Sequence, residues 1–161
     1  MGVFTWHSNV LPEGLRVTQV YGVAFSDDGK ILLMIDKGKY NLIGGHPEPH
    51  ETSYEQTLKR EFIEEVNIEL EDIHYLGYFS VNEPGKPEYA QVRMIAKIKS
   101  IGEKEPDPDR GRTYERLLCN QYNVKNYLNY GGDGDKMLDD AIKSANKKFS
   151  FKSSNDKDVY I

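Results

Sequence analysis

The 161-residue sequence has one cysteine, Cys119, so no disulfide can form within the chain. That usage fits a reducing compartment, and a cytoplasmic location is expected. No run of about 18 apolar residues occurs, which argues against a transmembrane helix and a membrane partner. The opening MGVFTWHSNV lacks the basic and apolar regions of a secretory signal. Positive charge is outnumbered by negative. The chain has 21 Lys and Arg against 26 Asp and Glu, for a formal net charge of −5. No long nucleic acid is therefore expected as a partner. A polyanionic ligand would need a metal ion and a local basic cluster. No internal repeat is visible. Length and a hydrophobic share of 38% suit one domain over residues 1–161, with an irregular start to about residue 15 and a polar tail from about 150.

The chemistry is concentrated between Gly44 and Ile68, GGHPEPHETSYEQTLKREFIEEVNI. Two glycines follow the short apolar stretch NLI. A polar loop then leads into a helix whose apolar positions, Leu58, Phe62 and Val66, are spaced four apart. At about 100° per residue, Glu61 lies between Glu64 and Glu65 on one side of that helix, beside the apolar stripe. Like charges at i and i+4, as at Glu61 and Glu65, destabilise a bare helix. A divalent cation would turn the crowding into a site, since Mg²⁺ prefers oxygen ligands and bridges carboxylates to phosphates. The plain alternative is a solvated acidic face.

This stretch resembles the signature of the Nudix hydrolases, G-x5-E-x7-R-E-U-x-E-E-x-G-U with U aliphatic. Gly45, five residues and Glu51 match the first part. Arg60-Glu61-Phe62-Ile63-Glu64-Glu65-Val66-Asn67-Ile68 matches the second, and Gly44, Gly45 and Glu48 form the common GGxxE opening. Eight residues rather than seven separate Glu51 from Arg60, Phe62 replaces an aliphatic residue, and Asn67 stands in place of glycine. The extra residue is expected in the loop or first turn around Thr52–Tyr54, which keeps the spacing of Arg60, Glu61, Glu64 and Glu65. Asn is the mildest replacement for a left-handed glycine.

The resemblance implies an α/β/α sandwich with a mixed β-sheet. It also implies hydrolysis of a nucleoside diphosphate linked to another group, with Mg²⁺ or Mn²⁺ as cofactor and a small nucleotide as partner. It assigns metal binding to Glu61, Glu64, Glu65 and Glu51, with catalytic roles for Glu64, Glu65 and Arg60. Glu64 is a candidate general base. Gly44 and Gly45 are substrate-binding by their backbone, and Arg60 pairs with a box glutamate, expected to be Glu51. A homodimer is compatible with the family, although no interface is legible. Three rivals remain: a module that senses a nucleotide without cleaving it, a prenyl-diphosphate isomerase that would need Cys119, and mRNA decapping, which the acidic charge disfavours.

Elsewhere the sequence predicts strands over Val17–Phe25 and Lys30–Asp36, joined by an Asp-Gly turn, and a short strand over Tyr40–Ile43. Further strands are expected over Ile73–Val81 and Tyr89–Lys99. The latter alternates, with Ala90, Val92, Met94, Ala96 and Ile98 on one face and Gln91, Arg93, Lys97 and Lys99 on a wet face. From there Arg93 is either a phosphate contact or a plain exposed arginine. Gly102–Gly111 reads as a mobile loop, with Glu103, Glu105 and Glu115 as candidates for a late glutamate. Thr113–Leu118 is expected to begin a helix. The Asn- and Tyr-rich segment 120–130 offers packing or base stacking. A last helix is expected to start at a cap on Asp133 or Asp135 and run to about Phe149, followed by a loosely docked tail.

Overall fold

The computed structural model describes residues 2–161, so Met1 lies outside the described residues. Strands β1 (Val3–His7), β2 (Arg16–Phe25), β3 (Ile31–Asp36), β4 (Lys39–Asn41) and β5 (Ile43–Gly45) precede helix α1 (Tyr54–Val66). Strands β6 (Ile68–Asn82), β7 (Tyr89–Ile101) and β8 (Glu115–Cys119) follow, then α2 (Val124–Leu128), α3 (Gly132–Lys148) and β9 (Val159–Tyr160). One sheet runs β1-β6-β7-β2-β3-β8-β9, with β4 paired to β3 and β5 to β2. The β2–β7 pairing is parallel and the others are antiparallel, so the sheet is mixed.

Helices cover both faces. Alternation along β2 sends Val20 and Ala24 toward α1, where they join Leu58, Phe62 and Val66, and sends Val23 and Phe25 toward α3, where they meet Met137, Leu138, Ala141 and Ala145. The expected sandwich is what forms. Gly22 is a packing glycine, since a Cβ there would stand 2.8 Å from Leu58.

The strands β2 and β3 pair only at Phe25↔Ile31 and then part. Short β5 fills the gap on the β2 side and β4 on the β3 side. That opening is where the principal cavity forms.

Five expectations are corrected. The N-terminal segment is not irregular throughout: β1 pairs with β6, and Trp6 donates from Nε1 to Asp140 at 2.8 Å and from its backbone to Asp133 at 2.7 Å. Residues 115–119 form β8 rather than a helix. Pairing of Glu115 to Cys119 with β3 supplies a backbone partner that local propensity does not register. The second face of β7 is wet only at its end: Arg93 and Ile95 are buried on it, whereas Lys99 is exposed. Helix α3 starts on Gly131, with no side-chain cap. The tail is docked: β9 pairs with β8, and Asp158 accepts from the Asn120 backbone at 2.7 Å and from the Tyr127 hydroxyl.

Burial pushes the Asp158 carboxyl up, but the bonds from Tyr127, Asn120 and Asn123 outweigh it and hold the group below its ordinary value. Such a carboxylate stabilises the fold above its unfolded pKa, and the contribution is lost as pH falls through the folded value. Asp158→Ala is expected to lower stability by about 1–3 kcal/mol at neutral pH in urea unfolding. The gap to wild type should narrow below about pH 4.

Candidate active site

Helix α1 carries the charged groups of the site. Ser53 caps it by accepting from the Gln56 N–H at 3.2 Å, and Thr52 bonds the Gln56 side chain. Arg60 still reaches Glu51 although eight residues separate the two. At the other end Asn67 adopts φ 53°, ψ 50°, the left-handed conformation that its side chain tolerates. Asn67 also donates to the Glu103 carbonyl at 2.9 Å, and Arg116 bonds the Val66 and Gly102 carbonyls at 2.9 and 2.8 Å. These contacts tie the 102–111 loop to the end of α1.

Arg60 is the hub. Its Nε donates to Glu51 at 2.8 Å, and Nη2 reaches both the other Glu51 oxygen at 3.2 Å and the His46 carbonyl at 2.8 Å. Nη1 donates to Glu61 at 2.8 Å and Glu64 at 3.1 Å, and lies 3.5 Å from Glu48. Glu51 also accepts from the Glu48 N–H at 2.8 Å and the Thr57 hydroxyl at 2.9 Å. The bonds from Arg60, Glu48 and Thr57 outweigh burial and hold its carboxyl down at about 2. The expected Arg60–Glu51 pair is formed, and it occupies both oxygens of Glu51.

Glu65 differs. Burial first, then the charges of Glu61 and Asp107, push its carboxyl up to about 8, against a hydrogen bond from the Gly44 backbone. Burial also raises Glu61, which Arg60 partly offsets. Glu61 lies against Gly45, where a Cβ would meet its Oε1 at 2.3 Å. The close pair therefore requires glycine.

A cavity of about 990 Å³ opens beside these groups. Gly44, Gly45, Glu48, Arg60, Glu61 and Glu65 line one end, with Asp107 and Arg110 from the loop. Tyr21, Phe79, Arg93, Tyr130 and Gly131–Gly134 line the other. Glu51 and Glu64 reach Arg60 without lining the cavity. The donors at the acidic end are carboxylate oxygens, the set that a hard divalent cation takes, and their mutual repulsion fits a site completed by positive charge. As they stand, no three Asp, Glu, His or Cys side chains among the described residues are grouped to hold one ion, and Arg60 engages Glu61 and Glu64 instead.

Sequence reasoning missed Asp107, Arg110, Tyr21 and Phe79. Asp107 is buried on the cavity wall, whereas Glu103, Glu105 and Glu115 are not part of that wall. Glu115 pairs with Lys104 at 2.8 Å. No periodicity marks Asp107. Its burial follows from backbone bonds within the loop, to the Arg112 carbonyl and from the Gly111 N–H, both at 2.7 Å. Of the segment's tyrosines, Tyr130 lines the cavity, Tyr127 bonds Asp158 and Tyr122 is exposed. His7 bonds Ser80 at 2.9 Å and stacks on Tyr78, away from the cavity. Cys119 is buried in the α3-side core, and burial pushes its thiol up to about 12. An isomerase that needs a pocket thiol finds none there.

The model of the NUDIX domain matches residues 15–127. Among solved structures, the Bacillus subtilis pyrophosphohydrolase BsRppH, in a mutant form, superposes with a TM-score of 0.68 at 17% identity, over 89% of this chain and 92% of that one. A MutT structure from work on the Aliivibrio salmonicida and Vibrio cholerae proteins gives 0.59 at 18%, over 80% and 98%. The MutT protein of Bacillus halodurans gives 0.57 at 22%, over 74% and 78%. At these identities the likeness is one of fold. No curated protein matches the sequence.

Arg60→Met would leave Glu51 buried without its counter-charge. A loss of about 3 kcal/mol is expected in urea unfolding at pH 7. Adding Glu51→Gln to that variant should recover part of the loss, because the unpaired charge is then removed.

Proposed function

Because the chain belongs to the NUDIX family, we propose that it hydrolyses the pyrophosphate bond of a nucleoside diphosphate linked to a second moiety, with Mg²⁺ or Mn²⁺ as cofactor. Nucleoside triphosphates, ADP-ribose and NDP-sugars are the substrate types considered. One observation carries the reading: Glu61, Glu65 and Asp107 gather at one end of a large cavity, over the glycine pair Gly44–Gly45.

A divalent cation held by Glu61, Glu64 and Glu65, with Glu51 behind them, would neutralise the diphosphate and polarise its phosphoryl oxygens. The protein's own groups supply the rest. Gly44 lets β5 lie against β2, and Gly45 makes room for the Glu61 carboxylate at the cavity wall. Arg60 fixes Glu61 and Glu64 through Nη1, and its bonds to Glu51 and His46 fix the loop. Water attacks one phosphorus atom, the bond to the bridging oxygen breaks, and the proton of the water passes to a carboxylate. Glu64 and Glu65 are the candidates for that proton, and Glu65 is the one on the cavity wall.

The test is release of phosphate or phosphorylated products from a panel of nucleoside triphosphates, ADP-ribose, NDP-sugars, dinucleoside polyphosphates and NADH. Each is assayed with Mg²⁺, Mn²⁺ or EDTA. Metal-dependent turnover of at least one member is expected. Glu64→Gln and Glu65→Gln should keep the fold and lower kcat by about 10²–10³-fold. Gly45→Ala should act in the same direction, because its Cβ would displace Glu61. Full turnover in the glutamine variants would refute the assignment. Silence across the panel with tight nucleotide binding would favour a sensing module instead.

A further inference from the structure

The cavity has a second charged end, opposite the acidic one. Tyr21 pairs with Gly44 on one side and with Arg93 on the other, so the three lie on one rung of the sheet. Two strand spacings place the Arg93 backbone roughly 10 Å from Gly44. The Arg93 guanidinium carbon lies 4.7 Å from the centroid of the Tyr21 ring and 4.9 Å from that of Phe79. Arg93 is only 9% exposed and lines the cavity.

Its hydrogen bonds are incomplete. Nη1 reaches the Val92 carbonyl at 3.4 Å and Nη2 the Gln91 side chain at 3.3 Å, both near the long limit, and Nε has no partner. Among the described residues, no carboxylate pairs with it. Asp133 lines the same cavity, but it accepts from the Trp6 backbone at 2.7 Å and lies 3.6 Å from Lys136. The neighbouring wall is the start of α3, uncapped by any side chain. A Cβ at Gly131 or Gly132 would meet nothing within 4 Å, so the space beside that wall is open. Burial lowers the Arg93 pKa to about 10, which leaves it charged at neutral pH. A buried cation with unmet donors beside open space lacks an acceptor.

We propose that this end binds a second anionic group, a phosphoryl or carboxylate borne by the moiety beyond the cleaved diphosphate, with Arg93 as the residue that selects it. The proposal rests on the diphosphate reading of the acidic end. Substrates without that second anion leave Arg93 unpaired and are discriminated against.

Matched ligands test it. NADPH differs from NADH by one phosphate remote from the diphosphate, and UDP-glucuronate differs from UDP-glucose by one carboxylate. Calorimetric binding to the full chain, with Ca²⁺ in place of Mg²⁺, should favour the anionic member of at least one pair by about tenfold or more. The pair that responds distinguishes phosphate from carboxylate. Arg93→Gln, which removes the positive charge, should largely abolish the preference, and with Mg²⁺ it should raise KM for the anionic member more than it lowers kcat. Equal affinities within both wild-type pairs, no binding of any member, or a preference that survives Arg93→Gln would overturn the proposal. The wild-type comparison decides even where the variant fails to fold. Turnover without an anionic preference would sink this proposal and spare the hydrolase reading. An Arg93-dependent preference without turnover would do the reverse.

Discussion

One guanidinium is shared by four glutamates. Arg60 bonds Glu51, Glu61 and Glu64 and lies within ion-pair distance of Glu48. Without it, the acidic groups of α1 and its loop would repel one another at close range. With it, the loop is drawn over the helix, because the same side chain also bonds the His46 carbonyl. Glu65 lies outside this arrangement. Its carboxyl is the one driven up to about 8, by burial and by its neighbours Glu61 and Asp107. The site is thus divided between carboxylates that bond Arg60 and Glu65, which does not and has Arg110 as its nearby positive charge.

The cavity depends on a second constraint, the parting of β2 from β3 after a single pair of residues. β5 can lie against β2 only because residue 44 has no side chain: a Cβ there would stand 2.1 Å from the Val20 carbonyl. Gly45 serves a separate purpose, since it makes room for the Glu61 carboxylate. Two adjacent glycines therefore answer to two different contacts, one with the sheet and one with the helix. Across the same rung, Tyr21 and Arg93 carry the wall toward α3, which adds a buried cation to the opening.

Much of this was legible in the order of residues. The spacing of Leu58, Phe62 and Val66 and of Arg60, Glu61, Glu64 and Glu65 specifies one helix with a buried stripe beside an acidic one. Asn67 ends that helix in the conformation asparagine tolerates. The alternation in β7 identifies the α1-side residues correctly. Its other face was misread, because alternation separates two faces without saying what covers either. Residues 115–118 combine helix-forming side chains with a strand's environment, and pairing with β3 overrode the local preference.

Sequence by itself determined the family, the sandwich of helices about a mixed sheet, and the group of ionisable side chains on α1. The helix and its charged face rest on short-range periodicity, which a local run of residues carries, whereas the family and the sandwich rest on the resemblance of Gly44–Ile68 to a known signature. Tertiary structure alone decided that Asp107 is brought to Glu65 and that Arg93 is buried between aromatic rings facing an open cavity. Those contacts join segments far apart in the chain. Their partners are chosen by sheet order and by what packs over each face, which no local pattern records.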